Sequence, residues 1–238
     1  MFTIFVYFCF VVTYYMHILQ NTFDQLSIPA NESVVMIDQF WHGAGSKTIS
    51  VGEWASLTYL IVIKEQVSLD LRIESSGPDA QILVKGLLLG KEWSDIKLTA
   101  HAHLMQDNAS ADLHLVSMLQ DGSVCEVDGW VDLHEWCHKI SGHLLEENIV
   151  LWSDIQIKTL PMLDVRSSDV SASHGCRIQK LDDKKLFYMR SKGLSKQQAE
   201  ELMIKGYFDQ LFAAVKWDED SNQVVEKLEK EYIDYLLG

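Results

Sequence analysis

Apolar and polar residues alternate along most of this chain, in short runs of the kind that form β-strands. Between Val34 and about Ile178, apolar residues recur at every second position, and polar or glycine-containing breaks separate the runs. Side chains at alternate positions of a strand share one face, so these residues are predicted to point inward. The inward sets are Leu69, Leu71 and Ile73; Ile82 and Val84; Ile96 and Leu98; Leu113 and Leu115; and Ile155 and Ile157.

Breaks between the predicted strands fall at near-regular intervals. They lie at residues 42–46, 75–79, 90–95, 106–110, 120–123 and 146–148. No segment with a helical period of about 3.6 residues interrupts the series. Many short, evenly spaced strands predict a sandwich, a barrel or a solenoid. Because the chain has no strict internal repeat, periodicity alone leaves these three folds open.

Capped helices are predicted after the last strand. Asp182 is placed to cap a short helix that ends near Gly193, a residue type suited to a left-handed stop. Ser195 and Gln198 form a capping box that opens a longer helix. Ser221 is predicted to cap a final helix.

Both longer helices carry an apolar stripe. The stripe of the middle helix comprises Ala199, Leu202, Met203, Leu211, Phe212 and Val215, and that of the last helix comprises Val224, Val225, Leu228, Tyr232, Leu236 and Leu237. Such stripes predict packing against the strand region. A docking surface for a partner is the alternative for some of these positions.

The first nineteen residues are mostly apolar and carry no formal charge. A secretory signal would have a basic start and a small-residue cleavage site, and neither is present. A membrane-spanning helix needs about 20 apolar residues with charged anchors, whereas this run is rich in tyrosine and β-branched residues and has no flanking lysine or arginine. Two interpretations of the segment 1–33 therefore remain: a membrane or export role, and a buried strand or helix of the core.

Composition and charge narrow the function classes. The chain has 238 residues, which suits one main domain with an accessory element, and 20 basic and 34 acidic side chains give a formal charge of −14. This charge disfavours nucleic acid and membrane surfaces as partners, because phosphate backbones and anionic lipids are also negative. Four cysteines without a CxxC pair fit neither a zinc ribbon nor a secreted disulfide scaffold, which indicates reduced thiols and a cytoplasmic location.

The segment from Asp169 to Leu211 carries the most specific sequence signal, because a Ser-His-Gly turn joins a strand-like run to the capped helices. It resembles the C-terminal signature of the SufB/SufD family of iron-sulfur cluster assembly proteins, and its Ser-His-Gly motif is closer to SufD. The matching residues are Asp169, Val170, Ser173, His174, Gly175, Leu181, Asp182, Leu186, Phe187, Tyr188, Arg190, Ser191, Gly193 and Ala199, with the region of Gly206.

The resemblance implies a mainly β fold, a right-handed parallel β-helix followed by a small C-terminal α-helical region. It divides the chain into the apolar segment 1–33, a β-helix core at 34–180 and a helical region at 181–238. Family members are usually longer and begin with a further helical region, so we expect this chain to be shortened at its N-terminus.

His174 and Cys176 are the candidate ligands for a cluster or for iron. In the SufD branch the histidine of the motif is implicated in cluster formation at the interface with SufB, and the resemblance carries that role to His174. Thiolate is the natural cluster ligand, and Cys176 would share a strand face with His174. The family usually has alanine there, so the resemblance does not supply Cys176. The alternatives are a histidine that bonds backbone carbonyls and a small buried cysteine.

His101 and His103 form a second candidate site, for a metal-dependent enzyme. Two imidazoles at positions i and i+2 of a strand can bind one metal ion, as in cupin-type dioxygenases. Their neighbours Ala100, Ala102 and Leu104 favour the inward face, so both histidines would point outward, whereas a cupin holds its metal inside a barrel. Solvated surface histidines are the simpler interpretation.

The chain has no nucleotide-binding motif, so any ATP dependence would come from a partner. The resemblance implies a SufC-like ABC-type ATPase that docks on the C-terminal helical region. The expected docking residues are Phe187, Arg190, Gly193, Leu194, Tyr207 and Phe208.

The predicted function is a non-enzymatic scaffold or supporting subunit of the SUF machinery. A SufB-like or identical second subunit would complete a dimer. The chain would hold a transient iron-sulfur cluster or iron and would bind no nucleotide itself. The alternatives are a cupin-like enzyme that uses His101 and His103 and a degenerate family member with a structural role.

Overall fold

The computed structural model describes residues 3–5, 14–19, 24–152, 154–215 and 219–237. Most of this length consists of β-strands joined by short turns. The strands are β1 (Thr3–Phe5), β2 (Tyr14–Leu19), β3 (Gln25–Ile28), β4 (Ser33–Val51), β5 (Ser56–Ser75), β6 (Gln81–Gly90), β7 (Asp95–Leu104), β8 (Ser110–Leu119), β9 (Val124–Leu133), β10 (Ile140–Val150), β11 (Gln156–Thr159), β12 (Met162–Val165) and β13 (Val170–Lys180).

The strands form two sheets that enclose a common core. The first sheet runs in the order β2, β4, β5, β6, β8, β10 and β13. The second sheet contains β3, β7, β9, β11 and β12 together with the second halves of β4 and β5, which bend from one sheet into the other. β1 is antiparallel to β2, and every other pairing in the described ranges is parallel.

Successive coils add strands in register. Ser33 lies beside Ser56, Ser56 beside Gln81, Gln81 beside Ser110, and Ser110 beside Ser141. Like positions therefore stack, and one pattern of inward and outward positions repeats from coil to coil. The result is a parallel β-helix of about four turns with a few C-terminal helices, which confirms the predicted fold class.

The predicted inward residues fill the space between the two sheets. Every inward set that the sequence predicted lies in this core or packs against it, including the partly buried Ile155 and Ile157. Removing apolar surface from water contributes about 25 cal/mol per Å², so this continuous core is the main stabilising feature of the fold.

Two of the predicted breaks are wrong. Residues 42–46 belong to β4, which continues through a bulge between Phe40 and His42. Residues 146–148 belong to β10. Their polar character suggested a turn, but Glu146 is buried and accepts a hydrogen bond from a backbone amide inside the β-helix.

A buried ion pair between the sheets joins the two halves of β4. Lys47 Nζ lies 3.2 Å from Oδ2 of Asp38, and both side chains are almost completely buried. The hydroxyl of Tyr59 donates a hydrogen bond to the same carboxylate at 3.0 Å. Burial, and after it the negative charge of Asp38, raises the pKa of Tyr59 well above its ordinary value. Removing one partner of such a pair is costly because the other charge stays buried.

Three α-helices follow the last strand. They are α1 (Asp183–Ser191), α2 (Lys196–Phe212) and α3 (Glu219–Leu237), with a 3₁₀ turn at Ala213–Val215. Asp182 caps α1 by accepting hydrogen bonds from backbone amides of its first turn. Ser195 and Gln198 form the predicted capping box of α2. The last helix already begins at Glu219, so the predicted cap at Ser221 is wrong.

Helices α2 and α3 cover the outer face of the first sheet. Phe208, Phe212 and Tyr232 are fully buried there, among outward-facing apolar residues of β4, β5, β6, β8 and β10. The ring of Phe212 stacks on Tyr232 at 6.3 Å and meets Phe208 edge-on at 6.2 Å. The predicted stripes therefore pack against the sheet, except at Leu202, which is more than half exposed.

The predicted apolar segment, residues 1–33, lies partly outside the described residues. Its described part includes β2 and β3, and both pair with β4. Within the described ranges, no helix is both long enough and apolar enough to cross a lipid bilayer.

Candidate cluster and metal sites

β13 is the last strand of the first sheet, and it has an open edge. One edge pairs with β10 from Val170 to Lys180, and no strand in the described ranges pairs with the other. Ser173, His174 and Cys176 are exposed on this strand. An unpaired edge presents a row of backbone donors and acceptors to which another strand can bind.

His174 lies at the open end of the space between the sheets. Its register partner is Leu144, a core residue, so the imidazole continues the inward face of the first sheet. Nδ1 lies 3.2 Å from the backbone carbonyl oxygen of Pro161, between β11 and β12. Because a carbonyl oxygen only accepts, Nδ1 of the neutral ring donates and Nε2 keeps the lone pair that a metal ion requires. The carbonyl contact and the ligand role are therefore compatible.

Cys176 lies on the same face of β13 as His174. Its Sγ is 3.7 Å from the Thr159 hydroxyl oxygen and 4.0 Å from Nδ2 of Asn148. Cys176 is exposed, so the alternative of a small buried cysteine is wrong for this residue. That description fits Cys125 and Cys137, which are buried in the core. Burial raises the pKa of Cys125 to about 12, so its thiol stays protonated at neutral pH.

A buried carboxylate lies next to Cys176. Glu146 is its register partner on β10 and is 1% exposed. Glu146 accepts hydrogen bonds from the backbone amide of Gly129 at 2.7 Å and from the hydroxyl of Thr159. Burial raises the pKa of Glu146, and these two hydrogen bonds oppose the rise. Position 129 must be glycine for this approach, since a Cβ there would lie 2.6 Å from Oε1 of the carboxylate.

Thr159 connects the thiol with the carboxylate. Its hydroxyl contacts Sγ of Cys176 and donates to Glu146. Neither partner was predicted from the sequence, because a break was expected at 146–148 and the register of β11 was unknown. The one signal that could have identified them is the stacking of like positions in successive coils, which requires the coil lengths.

His174 and Cys176 do not by themselves complete a metal site. Within the described ranges, one group of three His, Cys, Asp or Glu residues has ligand atoms that all lie within 4.8 Å of one another, and it consists of His101, His103 and Asp132. The terminal strand thus offers part of a ligand set, and further ligands would have to come from another chain.

The predicted docking residues on and after α1 lie at the surface. No residue of α1 is buried, and Phe187 is 75% exposed. Arg190 and Gly193 are also exposed, and Leu194 is half-buried. Tyr188, with 62% of its surface exposed, extends the aromatic surface beside Phe187.

The two predicted docking residues on α2 differ from this group. Tyr207 is half-buried, and its hydroxyl accepts a hydrogen bond from Nε2 of Gln179 on β13 at 3.1 Å. Phe208 is fully buried between α2 and the first sheet, so its assignment to the docking surface is wrong. The predicted stripe of α2 included Leu202, which is exposed, and left out Phe208, which is buried.

His101 and His103 point away from the core, as their alternation with Ala100 and Ala102 predicted. They are not solvated surface histidines, so that interpretation is wrong. The ring of His101 stacks on Trp130 with centroids 4.2 Å apart and lies 3.5 Å from the ring of His103. His103 is only 9% exposed.

Asp132 lies beside His103 on the neighbouring strand β9, and its Oδ2 is 3.2 Å from His103 Nδ1. On the other side, β5 places Arg72 beside His101 and Glu74 beside His103. Burial, followed by the charges of His103 and Arg72, lowers the pKa of His101 to about 4. Burial also lowers the pKa of His103. The ring of His101 is therefore neutral at pH 7.

The β-helix removes the basis for a cupin-like enzyme. A cupin holds its metal inside a barrel, whereas the space between these two sheets is packed with apolar side chains. His101 and His103 lie on the opposite, outer face of the second sheet. The fold proposed with that alternative is wrong, although the two imidazoles do lie together.

Comparisons with known proteins connect this structure to one family. Residues 41–207 match the family model described as "SUF system FeS cluster assembly, SufBD core domain". The iron-sulfur cluster assembly protein SufD of Escherichia coli is 25% identical over 119 residues, which cover 50% of this chain and 28% of that protein. An iron-sulfur cluster assembly SufBD family protein of Mycobacterium leprae is 25% identical over 176 residues, 70% of this chain and 44% of that protein. The chain spans less than half the length of these relatives.

Proposed function

Because the chain belongs to the SufBD core-domain family, we propose that it is a non-enzymatic scaffold or supporting subunit of a SUF-type iron-sulfur cluster assembly complex. In this proposal the open edge of β13 meets a second β-helix subunit, either SufB-like or a second copy of this chain. His174 and Cys176 hold iron or a nascent cluster at that interface. A SufC-type ATPase docks on α1 and supplies the nucleotide-driven step.

The observation that most supports this function is the open edge of β13 with its two exposed ligand-type side chains. His174 and Cys176 lie on one face, at the end of the interior space, and their side chains contact Pro161, Thr159 and Asn148 through the bonds described above. Strand addition at such an edge would bring a second subunit's side chains next to them. The incomplete ligand set on this chain agrees with a cluster shared between subunits.

A candidate proton acceptor lies within two hydrogen bonds of Cys176. Iron binds thiolate, so the thiol must lose a proton when a cluster forms. Thr159 links Sγ to the carboxylate of Glu146, whose pKa is raised by burial. A raised pKa favours the protonated form of a carboxylate. In this proposal Glu146 takes up the thiol proton through Thr159.

The helical region offers both a docking surface and a connection to the site. Phe187 and Tyr188 expose aromatic surface on α1, of the kind that partner proteins bury. Tyr207 on α2 is hydrogen-bonded to Gln179 on β13. A partner that displaces the helices would therefore also displace the strand that carries His174.

The test is anaerobic cluster assembly in a complex reconstituted from the chain, its host's SufB-like subunit and its SufC-type ATPase. Supplied with iron, sulfide and nucleotide, the wild-type complex is expected to develop the visible absorption of an iron-sulfur cluster. His174→Ala and Cys176→Ser should each lower the cluster yield without changing the mass of the complex or the far-ultraviolet circular dichroism.

His42→Ala is the matched control, because His42 is an exposed imidazole on β4, where it contacts Glu65. Its cluster yield should equal that of the wild type. A wild-type yield from both His174→Ala and Cys176→Ser, in complexes of normal mass, would reject the ligand roles and leave a supporting subunit.

A further inference from the structure

We propose that His101, His103 and Asp132 form a binding site for a divalent transition-metal ion on the outer face of the second sheet. The three side chains come from β7 and β9, which pair in register, and their ligand atoms all lie within 4.8 Å of one another. Two imidazoles and one carboxylate are a donor set that suits Zn²⁺ and Fe²⁺. The site is independent of the terminal-strand residues His174 and Cys176.

Each of the three side chains has one buried polar atom without a hydrogen-bond partner. These atoms are His101 Nε2, His103 Nε2 and Asp132 Oδ1. Buried polar atoms in folded proteins nearly always have a partner, so three unpaired atoms in one cluster call for a common explanation. A cation bound in this cluster provides one, because ring nitrogens and carboxylate oxygens both donate lone pairs to metal ions.

His103 and Asp132 already contact each other. Nδ1 of His103 lies 3.2 Å from Oδ2 of Asp132, and a carboxylate only accepts, so this nitrogen carries a proton in the absence of metal. A cation held between the two groups would replace that proton. The ring of His101 is held by its stack on Trp130, with only 7° between the ring planes.

Charges of both signs lie around the cluster, so a change in one of them should alter the affinity for the metal ion. Arg72 lies beside His101 and opposes a bound cation, whereas Glu74 beside His103 favours it, as does Asp132 itself. Replacement of Arg72 by glutamine should therefore strengthen metal binding. Three protein ligands leave a coordination position for water or for another molecule.

The experiment is a metal titration of the whole chain after removal of bound metal with a chelator. Co²⁺ serves as a spectroscopic probe, and Zn²⁺ binding is measured by isothermal titration calorimetry. We expect one Co²⁺ per chain at this site, with visible d–d absorption that Zn²⁺ abolishes. His103→Ala should lower the affinity for either metal by more than about 100-fold, since even changes in groups that only orient a ligand cost about 10- to 100-fold.

Control variants separate this site from the rest of the chain. His42→Ala, which removes an exposed imidazole elsewhere on the chain, should leave the Co²⁺ spectrum unchanged. Asp132→Asn should weaken binding and Arg72→Gln should strengthen it. A gain in affinity cannot arise from misfolding, so the Arg72 variant remains informative even if His103→Ala does not fold.

Two outcomes would overturn the proposal. One is the absence of Co²⁺ and Zn²⁺ binding at a hundredfold molar excess of metal. The other is binding whose affinity and spectrum do not change in Asp132→Asn or Arg72→Gln, which would place the metal elsewhere on the chain.

Discussion

Replacement of Phe208 by alanine should destabilise the helical layer directly. Phe208 is fully buried between α2 and the first sheet, and its ring meets Phe212 edge-on at 6.2 Å. Truncation of a buried phenylalanine costs about 3–5 kcal/mol, because the lost transfer free energy and the cavity left behind add together. Apolar side chains from both helices and from the sheet surround this ring, so little collapse is available. We therefore expect a loss of about 4 kcal/mol.

Urea denaturation, followed by circular dichroism of the helical signal, measures this loss. With a slope of about 2.5 kcal/mol per M, a loss of about 4 kcal/mol lowers the urea midpoint by about 1.6 M. Phe187→Ala is the matched control, since the same ring is 75% exposed on α1. A surface change of this kind alters the free energy of unfolding by about 0.5 kcal/mol or less.

The two variants should separate partner binding from stability. Phe187→Ala is expected to weaken binding of a SufC-type ATPase while the urea midpoint stays close to that of the wild type. Equal midpoint shifts for Phe187→Ala and Phe208→Ala, or a loss below about 1 kcal/mol for Phe208→Ala, would refute the described packing of α2.

Three further predictions concern the core and the thiols. Lys47→Met leaves the Asp38 charge buried and should cost about 3–5 kcal/mol in urea denaturation; a loss below about 1 kcal/mol would contradict the buried pair. Burial raises the pKa of Glu146 above its ordinary value of 4.5, so the folded state holds that proton more tightly than the unfolded chain does. As the pH rises from 4.5 through the raised pKa, ionisation of Glu146 lowers the free energy of unfolding of the wild type but not that of Glu146→Gln. The difference in free energy of unfolding between the two proteins should therefore change with pH in favour of Glu146→Gln, and a difference that does not depend on pH would contradict the raised pKa. With iodoacetamide under native conditions, peptide mass spectrometry should find Cys176 alkylated and Cys125 protected until denaturant is added, and early labelling of Cys125 would contradict its burial.

Most strands could be predicted from the sequence because each buries one face. Pairs such as Ile82 and Val84 lie in the core as their spacing indicated. Periodicity could not choose between a barrel and a solenoid, since both show the same alternation, and the choice depended on the SufB/SufD resemblance. The error at 146–148 has a physical reason, because a buried Glu146 that is hydrogen-bonded inside the β-helix looks like a turn residue in the sequence.

The candidate sites were predictable only in part. His174 and Cys176 were identified from a motif within one strand, whereas Glu146 and Asp132 meet their partners across coils. The register between coils was hidden because coil length varies: Ser33 stacks on Ser56, but later coils are longer.

The most direct test of the account is the mass of the complex that the chain forms with its SufC-type ATPase and a SufB-like subunit, measured together with the iron and sulfide content under anaerobic conditions. If the chain is a subunit of this machinery, the three proteins form a defined complex that carries a cluster, and His174→Ala lowers the cluster content. A chain that remains unbound, and that adds nothing to cluster formation by the other two proteins, would contradict it.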